Sequence, residues 1–327
     1  VGRFLLRRLA GHALLLVTVC SLAYLLAASA LDPRSNYEGQ QPPPPPHVVD
    51  AVLDRYNLND RVPLSERYVT WAADVLAGDF GRTWDGRSVN EEMLRRVGVS
   101  LRLLAIGVTA GSVTGILLGA WAGSRQRGAV DRVSAVGAIA VISIPTVVIA
   151  VSLQTAALWA NQAAGVDVFR TTGEFTPGLT DGFWAGLANR AQHLVLPTLT
   201  LALPQIAIYS RYQRNLMLDQ VGADFVRTAR AKGLTRRAAL VRHALRTALI
   251  PAVTYFGYSF AALFTGAVFT EKVFGWHGVG EFLLDSVGRG DVNAVTAVCC
   301  FSALCVVAAA LVVDVAHYLL DPRIRVG

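Results

Sequence analysis

Residues 99–123 read VSLRLLAIGVTAGSVTGILLGAWAG, twenty-five residues with a single charge, Arg102. A hydrocarbon core of about 30 Å needs roughly 20 apolar residues as helix, so this run is long enough to cross a bilayer alone. Gly107, Gly111, Gly115 and Gly119 recur every fourth residue and place small side chains along one face. That spacing lets a second helix approach closely and predicts helix packing at this face.

Five more stretches have the required length: 9–31, 133–160, 194–210, 248–270 and 293–319. The fourth of the six is the weakest, because Pro197, Pro204 and Gln205 fall inside it. A helix packed among others tolerates such interruptions. The expected architecture is therefore all-α, a polytopic membrane protein with six transmembrane helices forming one domain over residues 1–327. Composition agrees: 53% of residues are hydrophobic, 16% are charged and the mean hydropathy is +0.44. A water-facing fold of this size does not carry that balance, which excludes a soluble enzyme. Arg3, Arg7 and Arg8 before the first run resemble the start of a signal peptide. The run that follows is longer than a usual signal core, so an uncleaved first helix is expected.

The net charge of +7 gains meaning from its placement. With the amino terminus inside, the cytoplasmic stretches 1–8, 124–132, 211–247 and 320–327 hold 17 of the 30 basic residues and only 4 acids. The outer stretches 32–98, 161–192 and 271–292 carry more acids than bases. This is the positive-inside pattern, and it accounts for the basic balance without nucleic acid. Cys20, Cys299, Cys300 and Cys305 lie in apolar runs and read as small buried thiols rather than a metal site or a disulfide framework.

The large outer segment, 32–98, contains the stiff run Pro42 to Pro46, read as a surface spacer. Val52–Tyr56, Tyr68–Leu76 and Val89–Leu94 have helical spacing and predict short helices on the outer mouth. Gly78-Asp79-Phe80-Gly81 marks a turn between the last two.

The cytoplasmic loop 211–247 is too long for a tight hairpin and reads as helix, turn, helix around Gly222 and Gly233. Asp224 is the expected cap of a short helix carrying Phe225, Val226, Ala229 and Ala231 with Arg227, Arg230 and Lys232 interleaved. Two readings fit these residues equally: anchoring on anionic lipid, and docking to a cytoplasmic protein. Within the spans, Arg102, Gln154, Gln205, Asp314 and His317 are costly in lipid and point to the bundle interior, a water-filled path or an interface. Arg102 and His317 lie near helix ends, where snorkelling explains them. Asp314 alone offers thin support for ion coupling. No phosphate-cradling glycine loop, zinc helix pair or nucleophile elbow is present, so the chain is not expected to be an enzyme.

The loop stretch Phe225-Val226-Arg227-Thr228-Ala229-Arg230-Ala231-Lys232-Gly233-Leu234, then Arg242-His243-Ala244-Leu245-Arg246 and Leu249-Ile250-Pro251, resembles the cytoplasmic loop of binding-protein-dependent ABC permeases. Its form is similar to the oligopeptide, dipeptide and nickel branch, most like the first of two permease subunits. Gly78-Asp79-Phe80-Gly81, Glu271-Lys272-Val273-Phe274-Gly275-Trp276 and Leu320-Asp321-Pro322-Arg323-Ile324-Arg325 carry the resemblance across nearly the whole chain. Two positions depart from the wider family: Arg227-Thr228-Ala229 stands for Glu-Ala-Ala, and His277-Gly278 for a Pro-Gly pair.

The resemblance implies an inward transporter of oligopeptides or dipeptides working by alternating access in the plasma membrane, with both termini cytoplasmic. Ala229, Arg230, Ala231, Lys232, Gly233 and Leu234 would form a coupling helix seated in an ATPase groove. Gln154, Gln205, Glu271, Phe274 and Asp314 are candidates for the pathway or a gate. The implied partners are a second homologous permease, ATP-binding cassette subunits or one fused ATPase, an external substrate-binding protein, the peptide and membrane lipid. ATP and Mg would bind those partner subunits, with no cofactor or metal on this chain. A nickel importer of the same family is the alternative in substrate, an ion-coupled secondary transporter or a membrane scaffold the alternatives in class.

Overall fold

The computed structural model describes residues 2–178 and 182–320, with residues 2–7, 253–254, 257–266 and 315–320 described by their backbone alone. Among the described residues every regular element is a helix, apart from one isolated bridge between Arg82 and Ser88. In chain order the helices are α1 (Gly2–Ala30), α2 (Ser35–Glu38), α3 (Pro46–Arg55), α4 (Leu64–Leu76), α5 (Val89–Ser124), α6 (Ala129–Ile142) and α7 (Thr146–Ala164). They continue with α8 (Phe183–Val221), α9 (Asp224–Ala231), α10 (Arg236–Ala239), a π-helical turn at Leu240–Ala244, α11 (Leu245–Phe274), α12 (Val279–Gly288) and α13 (Val292–Leu320).

Among the described residues, five segments are long and apolar enough to cross a membrane: Arg8–Glu38, Val89–Ser124, Thr146–Ala164, Phe183–Val221 and Val292–Asp314. The expected span 248–270 falls on α11 and lies partly outside the described side chains. His317 and the Leu320 to Arg325 motif likewise lie outside what is described in full. The expected span 133–160 needs correction, because it is two helices. Gly128 opens α6, Ser143 closes it and Pro145 stands before α7. At 14 residues, α6 is about 21 Å long and does not cross a bilayer. The fourth span, by contrast, stays helical through both prolines.

The chain divides into two compact units. The first comprises Val1–Ser100 and His277–Ala308. Here Tyr24 of α1 stacks on Trp71 of α4 with ring centroids 4.5 Å apart, over a core of Leu53, Leu58, Val292 and Cys300. Arg34, after α1, reaches Asp50 of α3 and Asp60 in the following loop, each at 2.7 Å. A second core packs Val89 and Met93 against Val279, Phe282, Ala294 and Ala297. Asp291 accepts from the backbone of Ala294 and Trp84, at 3.1 and 2.9 Å, and burial pushes its carboxyl up to about 6. Val89–Leu94 is the start of α5 rather than a separate short helix, a second correction. The exposed proline run ends by opening α3, with Pro46 at its first position.

The second unit comprises Leu101–Trp276 and Ala309–Gly327. Its centre is α8, which packs on α6, α7 and α11. The glycine face of α5 lies on α8, as its spacing predicts. A Cβ on Gly111 would stand 2.7 Å from Cβ of Gln205, and one on Gly115 2.7 Å from Cβ of Tyr209. Gly123 extends the seam one turn further, against Met217.

Candidate functional site

The hairpin between α8 and α11 is assembled around α9. Ala223, in extended conformation, precedes the helix, and Asp224 occupies its first turn. Asp224 does not cap α9 through its side chain, which is 97% exposed and 3.7 Å from Arg227; this corrects the expected cap. A carboxylate in the first turn still complements the helix dipole. Gly233 ends the helix with φ +92, a conformation that favours glycine, and its N–H donates to the Arg230 carbonyl at 3.0 Å. Thr235 then caps α10, accepting from the Ala238 N–H at 3.3 Å.

Spacing divides α9 into two faces. Val226 and Ala229 are buried in a cluster with Met217, Ala239, Leu240, Ala244 and Ala248. Phe225, Arg227, Thr228, Arg230, Ala231 and Lys232 are exposed. The predicted set is therefore split. Ala229 holds the helix to its base, Leu234 packs beside it, and Arg230, Ala231, Lys232 and Gly233 face outward. The outward face carries three cations and one aromatic ring.

Beneath this hairpin lies an ion pair that the sequence did not single out. Asp131 of α6 is 4% exposed and holds the guanidinium of Arg214 of α8 through two hydrogen bonds, one of them 3.1 Å. Its second oxygen also accepts from the Arg127 N–H at 2.9 Å. The Arg214 hydrogen bond holds the Asp131 carboxyl below the usual carboxylate range. Arg236 of α10 donates to the Ser124 carbonyl at the end of α5, at 3.2 Å. Together these bonds clasp α5, α6, α8 and α10 next to α9. Asp131 and Arg214 are 83 residues apart, so no local pattern signals their meeting.

A second polar cluster forms where the loop after α7 folds onto the end of α11. Gln154 donates to the carbonyls of Thr171 and Val273, at 3.0 and 3.2 Å. The Gly173 N–H donates to the Phe274 carbonyl at 2.7 Å, and His193 Nδ1 lies 2.9 Å from the Gly173 carbonyl. Asn161 pairs with both backbone groups of Phe169, while Asn189 holds Thr176. Arg102 pairs with Glu174 and lies over the Trp276 ring at 5.6 Å, so its charge is engaged beyond simple snorkelling. A cavity of about 940 Å³ opens beside the loop, lined in part by Leu158, Asn161, Arg170, Phe175 and His193.

The structure thus brings Gln154, Glu271 and Phe274 to one place, with Glu271 and Phe274 each 1% exposed. Gln205 is buried in the α5–α8 seam, and Asp314 is half-buried far along α13 from its start. No sequence signal singles out Glu174, Asn161, Asn189 and His193, because they fall in or beside the polar stretch 161–192, which reads as a loop, whereas Asn161 ends up on α7 and Asn189 and His193 on α8.

The chain matches the family model described as binding-protein-dependent transport system inner membrane component over residues 115–326. It is 48% identical over 325 residues to the oligopeptide transport system permease protein OppB of Mycobacterium tuberculosis (strain ATCC 25618 / H37Rv), covering 99% of both chains. It is 30% identical over 281 residues to the oligopeptide transport system permease protein AppB of Bacillus subtilis (strain 168), covering 84% of each. With the dipeptide transport system permease protein DppB of the same organism it shares 28% over 328 residues, 99% of this chain and 98% of that one.

Proposed function

The chain belongs to the family of binding-protein-dependent transport system inner membrane components, and from that membership we propose how it works as a permease subunit of an ATP-driven oligopeptide or dipeptide importer. The observation that carries the substrate class is near-full-length similarity to permeases named for oligopeptides and dipeptides. The chain crosses the plasma membrane six times, α11 supplying the sixth span, with both termini cytoplasmic. Residues 32–98 lie outside and residues 211–247 inside, within one permease domain. A homologous second permease completes the channel, and an external binding protein delivers the peptide.

ATP and Mg belong to the ATPase partner, whether two subunits or one fused chain. The α9 helix docks in that partner's groove through Arg230, Ala231 and Lys232, while Ala229 and Leu234 fix it to α8 and α11. The exposed cations and Phe225 supply charge complementarity around an apolar anchor, the composition of a protein interface. ATP-driven closure moves α9 and opens the path outward; hydrolysis and product release return it inward.

The outer gate lies at the loop pinned over α11. Gln154, Phe274 and the Arg102–Glu174 pair hold the closed form, and their polar bonds break without disturbing the apolar core. The Arg102 and Glu174 side chains are 39% and 22% exposed, so their pair contributes about 1 kcal/mol or less. Glu174→Gln is expected to shift the equilibrium outward and raise ATP hydrolysis without binding protein by up to about fivefold. Hydrolysis equal to wild type would remove Glu174 from the gate.

Uptake by the reconstituted complex, with its binding protein, tests the function. Labelled peptides are expected to accumulate with ATP and nickel is not. Nickel accumulation without peptide would overturn the substrate class. Full uptake by this chain alone would overturn the subunit role.

A further inference from the structure

We propose that Asp131 is a positioning residue that joins α6 to the moving end of α8, so that displacement of α9 reaches the outer gate. The inference rests on the reading of α9 as the ATPase-docking helix.

Arg214 lies seven residues before the end of α8, just above the hairpin. The buried Asp131 carboxylate grips it by two hydrogen bonds and also holds the turn between α5 and α6. In that turn Arg127 has φ 60, a left-handed conformation that is unfavourable for a non-glycine residue. The bond from the Arg127 N–H to Asp131 secures it. Asp131 thus fixes both the start of α6 and its contact with α8.

The path beyond α6 follows from chain geometry. Residues 143–145 join α6 to α7 directly, and α7 carries Gln154. Gln154 binds the end of α11 and the loop that covers it. A push on α9 enters α8 and crosses to α6 over their packed face, which the buried Arg214–Asp131 pair pins in register. From α6 it passes along α7 to the outer cluster. Without that pair, α8 still moves with α5, through the glycine seam, while α6 keeps its packing on α8 but loses the charged link that fixes its position along that face. The predicted consequence is hydrolysis without matching transport, which loss of folding alone would not produce.

The test uses the complete complex in liposomes, with partner permease, ATPase subunits and binding protein. Asp131→Asn keeps the size and one acceptor but removes the charge. It is expected to leave ATPase association unchanged, hydrolysis within about twofold, and peptide uptake per ATP lower by about tenfold, the scale of one charge-assisted hydrogen bond. Asp131→Glu is expected to restore most of the ratio. If Asp131→Asn does not assemble, Arg214→Gln is measured with the same expectations. An unchanged ratio overturns the inference. So does a parallel fall in association, hydrolysis and uptake that Asp131→Glu does not relieve. The docking reading fails separately if reversing the charges of Arg230 and Lys232 leaves ATPase association intact.

Discussion

Reversing both exposed cations at the end of α9, as Arg230→Glu with Lys232→Glu, is expected to weaken binding of the ATPase subunits by about a hundredfold while the permease still inserts in the membrane. The expectation of intact insertion comes from the two faces of the helix. Val226 and Ala229 hold α9 to its base, whereas residues 230 and 232 are exposed and have no role in that cluster. The expectation of lost binding comes from charge complementarity. An interface that accommodates Arg227, Arg230 and Lys232 presents negative or polar groups, and like charges facing each other cost on the order of 1–2 kcal/mol apiece. Acids in the last turn also oppose the helix dipole by about 0.3–1 kcal/mol each. Arg230→Gln with Lys232→Gln separates the contributions, since it removes attraction without adding repulsion and is expected to bind with intermediate affinity. Copurification and titration with the ATPase subunits measure both variants. Equal affinity of wild type and the reversed variant would refute docking through this face. If the reversed variant instead lost only its preference for anionic vesicles, α9 would be a lipid anchor.

Much of this hairpin was legible because its elements are local. Gly233 stops a short helix, Thr235 starts the next, and Arg227 and Arg230, three residues apart, mark an outward face. The same holds for the α5 seam, where glycine at every fourth residue needs no partner to be recognised. Proline shows the limit of such reading. Pro197 and Pro204 leave α8 intact, while Pro145 separates α6 from α7. The surroundings differ: Leu196, Pro197, Thr200, Leu201 and Ala202 are buried among packed neighbours, whereas residues 142–145 are exposed. Burial by other helices holds a strained turn in place, and a hydropathy profile contains no record of which helices those are. Asp131–Arg214 and Arg102–Glu174 were hidden for the same reason. Each pair joins residues 72 or more positions apart, so only the fold brings them together.

The second large effect concerns that seam. Substituting Gly119→Ala is expected to destabilise the permease by about 2 kcal/mol and lower uptake by about tenfold, although alanine is the better helix former by about 1 kcal/mol. The sign is decided by what the methyl group meets. A Cβ at Gly119 would stand 2.3 Å from the Ser210 carbonyl oxygen, 2.9 Å from Cβ of Gln213 and 3.0 Å from the Arg214 nitrogen. Two of those atoms are backbone, so relief requires α5 and α8 to separate rather than a side chain to rotate. Separation loosens contacts along the whole face, because Gly111, Gly115 and Gly123 would also stand within 2.7 Å of α8 if they carried a Cβ. It also shifts α8 next to Arg214, whose pairing with Asp131 depends on the position of that helix. Gly137 of α6 provides the control, since a Cβ there meets nothing within 4 Å. Gly137→Ala is expected to keep wild-type activity and to gain up to about 1 kcal/mol from helix propensity. Thermal unfolding in detergent and peptide uptake in liposomes compare the two variants. Equal stability and uptake would mean that the seam is slack enough to take a methyl group. In that case α5 and α8 would slide on one another during transport instead of moving as one body.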